Sequence, residues 1–128
     1  MSETVTREGV PNELLFIRPG KWDLVVIASL KSGAVRFNTL RSEIGGISQK
    51  MLSSTLRELE RDGFVIRTQF NSIPPRVEYE LTALGHELLV YVETWVRFVK
   101  THHLTVKAAR EEFDRVHGTS PDGHKQAS

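Results

Sequence analysis

The chain has 128 residues, a formal net charge of +1 and no cysteine. Its length suits one domain around a single hydrophobic core. The lack of cysteine excludes disulfides, thiol-based redox chemistry and Cys-ligated zinc. The first residues carry no apolar run typical of a secretion signal, and no apolar stretch is long enough to cross a bilayer. We therefore expect a cytoplasmic protein with no membrane partner.

The basic residues are concentrated in the middle of the chain. Residues 31–76 contain eight basic and four acidic side chains, a local charge of +4, which leaves −3 for the rest. A basic centre between acidic flanks is typical of a surface that meets a polyanion such as nucleic acid. A chance fluctuation in charge is the alternative.

Composition and periodicity predict four segments. Residues 1–12 lack periodicity and are expected to form a flexible arm. Residues 118–128 are rich in glycine, serine and proline and are expected to form a disordered tail. Between them we predict a folded DNA-binding domain over 13–82 and dimerisation helices over 83–117.

Three helices are predicted in the first half of the folded part. The first is indicated by a stripe at helical spacing that ends at Gly33 and comprises Trp22, Val25, Val26, Ser29 and Leu30. A very short strand fits Val35 and Phe37, and a second helix runs from Phe37 to Ile44. Gly45-Gly46 forms a turn, and Ser48 is a good N-cap for a third helix over 48–62. That helix has a core stripe of Leu52, Leu56 and Leu59.

The second half of the folded part begins with a β-hairpin. Residues 64–70 are β-branched and aromatic, Pro74-Pro75 forms the tip, and residues 76–81 alternate apolar with polar. Thr82 is predicted to cap a helix over 83–101, and a separate amphipathic helix is predicted around 106–116. This order is that of a mainly α winged helix-turn-helix fold with a small β-hairpin wing.

The third helix carries the strongest functional signal. Its face opposite the leucine stripe holds hydrogen-bond donors and no acid until the last turn. Such side chains pair with base edges and phosphates, and a generic solvated face would mix charges of both signs. The predicted DNA-binding residues on this helix are Ser48, Gln49, Lys50, Ser53, Ser54, Arg57 and Arg61.

Four further arginines are candidates for contacts with the DNA backbone. Arg67 and Arg76 lie on the two wing strands, and Arg36 and Arg41 flank the second helix. Wing arginines suit a narrow, negative minor groove. Cross-strand pairing with Glu78 or Glu80 is the alternative for the wing pair.

An ordered set of short motifs lies within residues 20–95. The set consists of Gly20-Lys21-Trp22, Arg36-Phe37, Gly46-Ile47-Ser48, Lys50, Leu52, Leu56, Leu59, Asp62-Gly63, Arg67, Pro74-Pro75, Tyr79, Leu81-Thr82 and Gly85. In this order and spacing it resembles the HxlR-type winged helix-turn-helix regulators. The resemblance implies a bacterial or archaeal homodimeric transcription factor with 48–62 as recognition helix and 64–81 as wing. Many members keep a cysteine just before the Gly-Lys-Trp motif; this chain has none, so thiol sensing does not carry over.

The helix over residues 84–99 is apolar around most of its circumference, which a surface helix is not. A two-fold partner is the commonest way to cover such a helix. The predicted interface consists of Leu88, Tyr91, Val92, Trp95, Phe98 and Val99. Burial under residues 13–19 and the last helix of the same chain is the alternative.

A pocket for a small-molecule effector is predicted among four aromatic side chains, Phe16, Trp22, Tyr91 and Trp95. The alternative is that these residues belong to the core, as aromatic residues at helical spacing more often do. The histidines His102, His103 and His117 lack the spacing of a metal site, so we expect no metal or cofactor. No catalytic motif is present, and we expect no enzyme. The remaining alternative to a DNA-binding regulator is a winged-helix module that binds another protein.

Overall fold

The computed structural model describes residues 12–14, 17 and 19–118. A short 3-10 helix, Asn12–Leu14, precedes the folded elements. These run in the order α1 (Lys21–Ser29), β1 (Val35–Arg36), α2 (Phe37–Ile44), α3 (Gln49–Arg61), β2 (Val65–Phe70), β3 (Arg76–Leu81) and α4 (Ala83–His117). The predicted mainly α fold with a β-hairpin wing is confirmed. Residues 1–11 of the predicted arm and 119–128 of the predicted tail lie outside the described residues.

The chain divides into two compact units, one up to Leu89 and one from Val90 onward. In the first unit, α1 packs against both α2 and α3. Its fully buried side chains are Val26, Ile27, Leu30, Leu40, Leu52 and Leu56. The leucine stripe of α3 is confirmed, with Thr55 buried beside it.

The predicted stripe of α1 needs one correction. Ile27 is fully buried although it lies off that stripe, while Trp22 is only half-buried. The reason is that α1 has neighbours on more than one face, so a single stripe does not describe its buried surface.

The turn between α2 and α3 requires glycine for its backbone conformation. Gly45 and Gly46 have φ angles of 68° and 70°, and an added Cβ at either would meet no atom within 4 Å. The constraint is therefore the dihedral angle and not lack of space. The Ser48 hydroxyl then accepts a 3.0 Å hydrogen bond from the Met51 amide, as its predicted N-cap role requires.

The three strands form an antiparallel sheet in the order β1-β3-β2. The hairpin of β2 and β3 pairs Val65 with Leu81 at its base and Phe70 with Arg76 near its tip. This hairpin is the predicted wing, and β1 adds Val35 and Arg36 to its other edge.

The helix after the wing begins as predicted but does not end where predicted. The Thr82 hydroxyl accepts a 3.0 Å bond from the Gly85 amide and donates a 2.6 Å bond to the Gly63 carbonyl oxygen. From there α4 continues unbroken to His117, so the predicted second helix around 106–116 is wrong as a separate element. Residues 102–105 contain neither glycine nor proline, and nothing in them ends a helix.

The second unit, as far as it is described, consists of the continuation of α4 and Gly118. None of the helices in the described ranges combines the length and the hydropathy needed to span a bilayer.

Candidate nucleic-acid interface

The outward face of α3 is the donor surface that the sequence predicts. Gln49, Lys50, Ser53, Ser54 and Arg57 are all exposed, and the buried residues of the helix lie on the opposite side. The first turn contains no acidic residue. The positive end of the helix dipole and its donor side chains are therefore open to an anion such as a phosphate.

The wing meets this face in a cleft that we call the helix–wing cleft. It encloses about 320 Å³ and is lined by Ser53, Arg57, Glu60, Arg67 and Tyr79. Two arginines from different elements, Arg57 of α3 and Arg67 of β2, thus line one cleft, which sequence spacing alone could not show. Neither Glu60 nor Tyr79 was among the predicted DNA-binding residues. Glu60 follows Ser53 by seven residues, so helical periodicity already places both on one side of α3.

Arg76 is held within the wing. Its Nε donates a 3.1 Å hydrogen bond to Glu78, and its guanidinium carbon lies 4.1 Å from the centre of the Phe70 ring. The alternative interpretation expected Arg76 to pair with Glu78 across the two strands. Glu78 does bind Arg76, but both residues lie on β3, and the residue opposite Arg76 on β2 is Phe70. These contacts use one of the five N–H donors of Arg76 and one face of its guanidinium group, and contact of Arg76 with DNA stays a prediction.

Arg61 faces different surroundings from Arg57. It lines a groove of about 540 Å³ that is also bordered by the carboxylates of Asp23, Glu58 and Asp62. An arginine among three carboxylates does not present a net positive surface to phosphate. A base contact is therefore not assigned to Arg61, and its contact with DNA stays a prediction.

The two arginines around α2 are exposed at the helix-turn-helix. Arg36 precedes α2 as its N-cap, and Arg41 Nε donates a 3.4 Å bond to the carbonyl oxygen of Ile47 across the glycine turn. Arg41 thereby ties α2 to the residue before the Ser48 cap. Contact of either arginine with phosphate stays a prediction.

The predicted dimer interface divides by exposure. Tyr91, Trp95 and Phe98 expose 72%, 54% and 57% of their surface, and Val99 exposes 36%. Val92 exposes only 2%, so its own chain already covers it and a partner cannot bury it further. Since α4 is one continuous helix from Ala83 to His117, the described residues contain no separate last helix that could cover this face.

The predicted effector pocket stays a prediction. Phe16 lies outside the described residues. Trp22 is half-buried with Lys21 Nζ 4.8 Å from the centre of its ring.

Comparison with known proteins identifies the family of this chain. The family model described as HxlR-like helix-turn-helix matches residues 17–106. The chain belongs to the HxlR-like helix-turn-helix family. This HxlR-like protein is a DNA-binding transcriptional regulator with a winged helix-turn-helix fold.

Relatives that match this chain over most of their own length support the assignment. The HTH-type transcriptional regulator YdeP of Bacillus subtilis is 38% identical over 113 residues, which covers 85% of this chain and 88% of YdeP. The structure of the transcriptional regulator YtfH from Salmonella typhimurium superposes with a TM-score of 0.70 at 34% identity, covering 83% of this chain and 95% of that one.

A further solved relative is titled the redox regulator HypR in its reduced form. Its TM-score is 0.69 at 33% identity, and the match covers 76% of the HxlR-like protein and 96% of HypR. The HxlR-like protein has no cysteine and so shares the fold without any thiol to oxidise.

Glu60 is expected to weaken DNA binding by the HxlR-like protein, because this acidic residue lines the helix–wing cleft together with Arg57 and Arg67. Glu60→Gln should raise the affinity for a labelled duplex by about two- to fivefold at low salt, measured by fluorescence anisotropy. Glu58→Gln removes the same charge from the 540 Å³ groove and is the matched control. An increase no larger than that of the control would contradict the placement of Glu60.

Proposed function

We propose that the protein is a homodimer that binds an inverted-repeat operator. In this arrangement α3 of each copy enters the major groove, and the wing lies over the neighbouring backbone or minor groove. In helix-turn-helix dimers the two half-sites lie about one helical turn, or 10 base pairs, apart. The observation that carries the proposal is the exposed, acid-free donor face at the start of α3.

The donor face divides into residues that contact bases and residues that position the protein. Gln49, Lys50 and Arg57 have the geometry to pair with base edges, glutamine with adenine and the two cations with guanine. The serines Ser48, Ser53 and Ser54 have short side chains that suit phosphates or bases.

Contacts outside α3 fix the orientation on the duplex. Arg36 and Arg41 are assigned to phosphates beside α2, and Arg67 is assigned to the backbone or minor groove beside the wing. Arg67 borders the helix–wing cleft together with Arg57, so DNA bound to α3 passes close to its guanidinium group.

Dimer formation is assigned to the exposed apolar face of α4. Tyr91, Trp95 and Phe98 are large, exposed side chains that one helix cannot cover by itself. A two-fold pairing covers both copies with the same patch. It also places two copies of α3 on one operator, which explains why the operator should have inverted symmetry.

The mode of action is binding and not catalysis, because the relatives are transcriptional regulators. We place the protein with its DNA in the cytoplasm. The chain has no cysteine, so a thiol cannot switch its DNA binding. A regulatory signal would instead act as a ligand that binds without forming a covalent bond.

The dependence of DNA affinity on salt tests the proposed contacts. Each phosphate neutralised changes the slope of log K against log salt by about −0.9. Because a dimer carries two copies, Arg67→Ala should make the slope shallower by about 2. Arg97→Ala removes an arginine from the exposed surface of α4 and should leave the slope unchanged. A parental slope near zero, or equal slopes for Arg67→Ala and the parent, would contradict the assignment.

A further inference from the structure

The end of the wing is an exposed apolar surface. Residues 71–75, which we call the wing tip, join β2 to β3 and have the sequence Asn-Ser-Ile-Pro-Pro. Among the large apolar side chains of the described residues, Ile73 is the most exposed: it is fully open to solvent, whereas the next, Tyr91, exposes 72%. Pro74 and Pro75 are exposed beside it. The wing tip thus presents three consecutive apolar side chains and no charge.

Local contacts hold the wing tip in one form. The Ser72 hydroxyl donates a 2.7 Å hydrogen bond to the carbonyl oxygen of Pro74, so it bridges the residue between them. At the end of the strands Phe70 pairs with Arg76, whose guanidinium carbon lies 4.1 Å from the centre of the ring. The two prolines restrict the backbone further. Because the turn is restrained in this way, it loses little conformational entropy when a partner binds it.

The charges around the wing tip suit nucleic acid. Residues 63–77 contain two arginines, Arg67 and Arg76, and no acidic residue. The next acid along the chain, Glu78, is bound to Arg76. A single exposed apolar side chain is ordinary on a protein surface, so exposure alone does not assign a partner. An apolar tip on a hairpin with free acceptors for neither phosphate nor base, but with arginines behind it, matches the apolar wedges of minor-groove binders.

The length of the hairpin matches the distance between neighbouring grooves of DNA. β2 and β3 pair over six residues each, from Val65 with Leu81 to Phe70 with Arg76. At about 3.4 Å per residue this ladder is about 17 Å long. One turn of the duplex is about 34 Å, so a major groove and the next minor groove lie about 17 Å apart along the axis. With α3 in the major groove, the hairpin is long enough to bring the wing tip to the adjacent minor groove.

We propose that the Ile73 side chain enters this minor groove, inserts between two base pairs and bends the duplex. The proposal rests on the proposed function, in which the wing lies over the neighbouring backbone or minor groove, and it adds the residue, the kind of contact and the deformation of the DNA. Apolar wedges unstack one base step and kink the duplex by about 20–90°. Pyrimidine–purine steps unstack most readily, so the wing tip selects a TA or CA step without a hydrogen bond to it.

The bend angle of bound DNA tests the proposal. The probe is a duplex that carries the motif selected by the parent protein from random DNA, with a donor and an acceptor dye at its two ends. The parent should bend it by at least about 20°, and Ile73→Ser should lose most of this bend. Ile66→Ser is the matched control, because it removes the same side chain from β2, where Ile66 is 48% exposed, and it should bend the duplex as the parent does. Equal bends for Ile73→Ser and the parent would overturn the proposal.

The fluorescence of 2-aminopurine tests insertion separately from bending, since this adenine analogue brightens when it is unstacked. It is placed in pyrimidine–purine steps about five base pairs to either side of a half-site centre, half a helical turn away. The parent should raise the fluorescence at one of these steps by about twofold or more. Ile73→Leu keeps an apolar wedge and should do the same, whereas Ile73→Ser should not. No rise at any step with the parent would show that the wing tip does not insert.

These measurements separate the wedge from the proposed function. If the parent selects an inverted-repeat motif and binds it without bending or unstacking it, the wedge is wrong and the DNA-binding homodimer stands. If the parent selects no motif, both are wrong. Ile73→Ser is a fair test of the wedge because a fully exposed side chain contributes little to the core, so the variant keeps the fold.

Discussion

Gly85→Ala is expected to destabilise the protein by about 3 kcal/mol or more, because overpacking against backbone lies at the upper end of its usual cost. A Cβ built on Gly85 would lie 2.2 Å from the carbonyl oxygen of Phe64 and 3.2 Å from the Leu81 side chain. That carbonyl oxygen also accepts a 3.1 Å bond from the Thr82 amide. The start of α4 would therefore have to move away from the base of the wing.

Urea unfolding followed by circular dichroism, at one fixed protein concentration, measures this effect. His86→Ala is the control, since it changes the next residue on the exposed side and should stay within about 0.5 kcal/mol of the parent. A Gly85→Ala protein as stable as the parent would show that α4 does not approach Phe64 this closely.

Arg57→Ala is expected to cost about 1–3 kcal/mol of operator affinity for each half-site and to relax the preference for one base pair. Arg57 is exposed on the donor face of α3 and borders the helix–wing cleft. Lys50→Ala should behave in the same way at a different base pair, because Lys50 lies nearer the N-terminus of the helix.

The matched control for this prediction is Arg61→Ala. It removes the same charge from the same helix, but its side chain borders the groove with Asp23, Glu58 and Asp62. Titrations of the operator and of single-base variants should show a large loss for Arg57→Ala and a small, sequence-independent one for Arg61→Ala. Equal losses for the two arginines would show that Arg57 makes no base contact.

Local features of this fold could be predicted from the sequence. Ser48 and Thr82 were expected to be N-caps because capping depends on the next three residues, and both accept the expected amide bond. The leucine stripe of α3 follows from periodicity alone. The exposed donor face lies on the side of α3 opposite the leucine stripe, so the same periodicity predicted its residues.

Features that depend on distant residues could not be predicted in this way. Arg57 and Arg67 border one cleft only because the wing folds back beside α3. Arg76 contacts Phe70 because the hairpin register sets them opposite each other. Gly85 was named in the sequence only as one of the family motif residues, because its close approach to the Phe64 carbonyl oxygen depends on how the start of α4 packs.

The continuity of α4 was missed for a different reason. The apolar pattern changes after Thr101, from a helix apolar on most sides to one with a single stripe. That change was interpreted as a boundary between two helices. No residue at this point ends a helix, so α4 continues through it. Only the set of helix faces that are apolar changes.

Selection of bound sequences from a pool of random duplexes tests whether the protein binds DNA as a symmetric dimer through α3. We expect one enriched motif with inverted symmetry whose half-site centres lie about 10 base pairs apart. Arg57→Ala protein should lose the preference at one position in each half-site. A pool with no enriched motif, or a motif without inverted symmetry, would show that the protein does not bind DNA in this way.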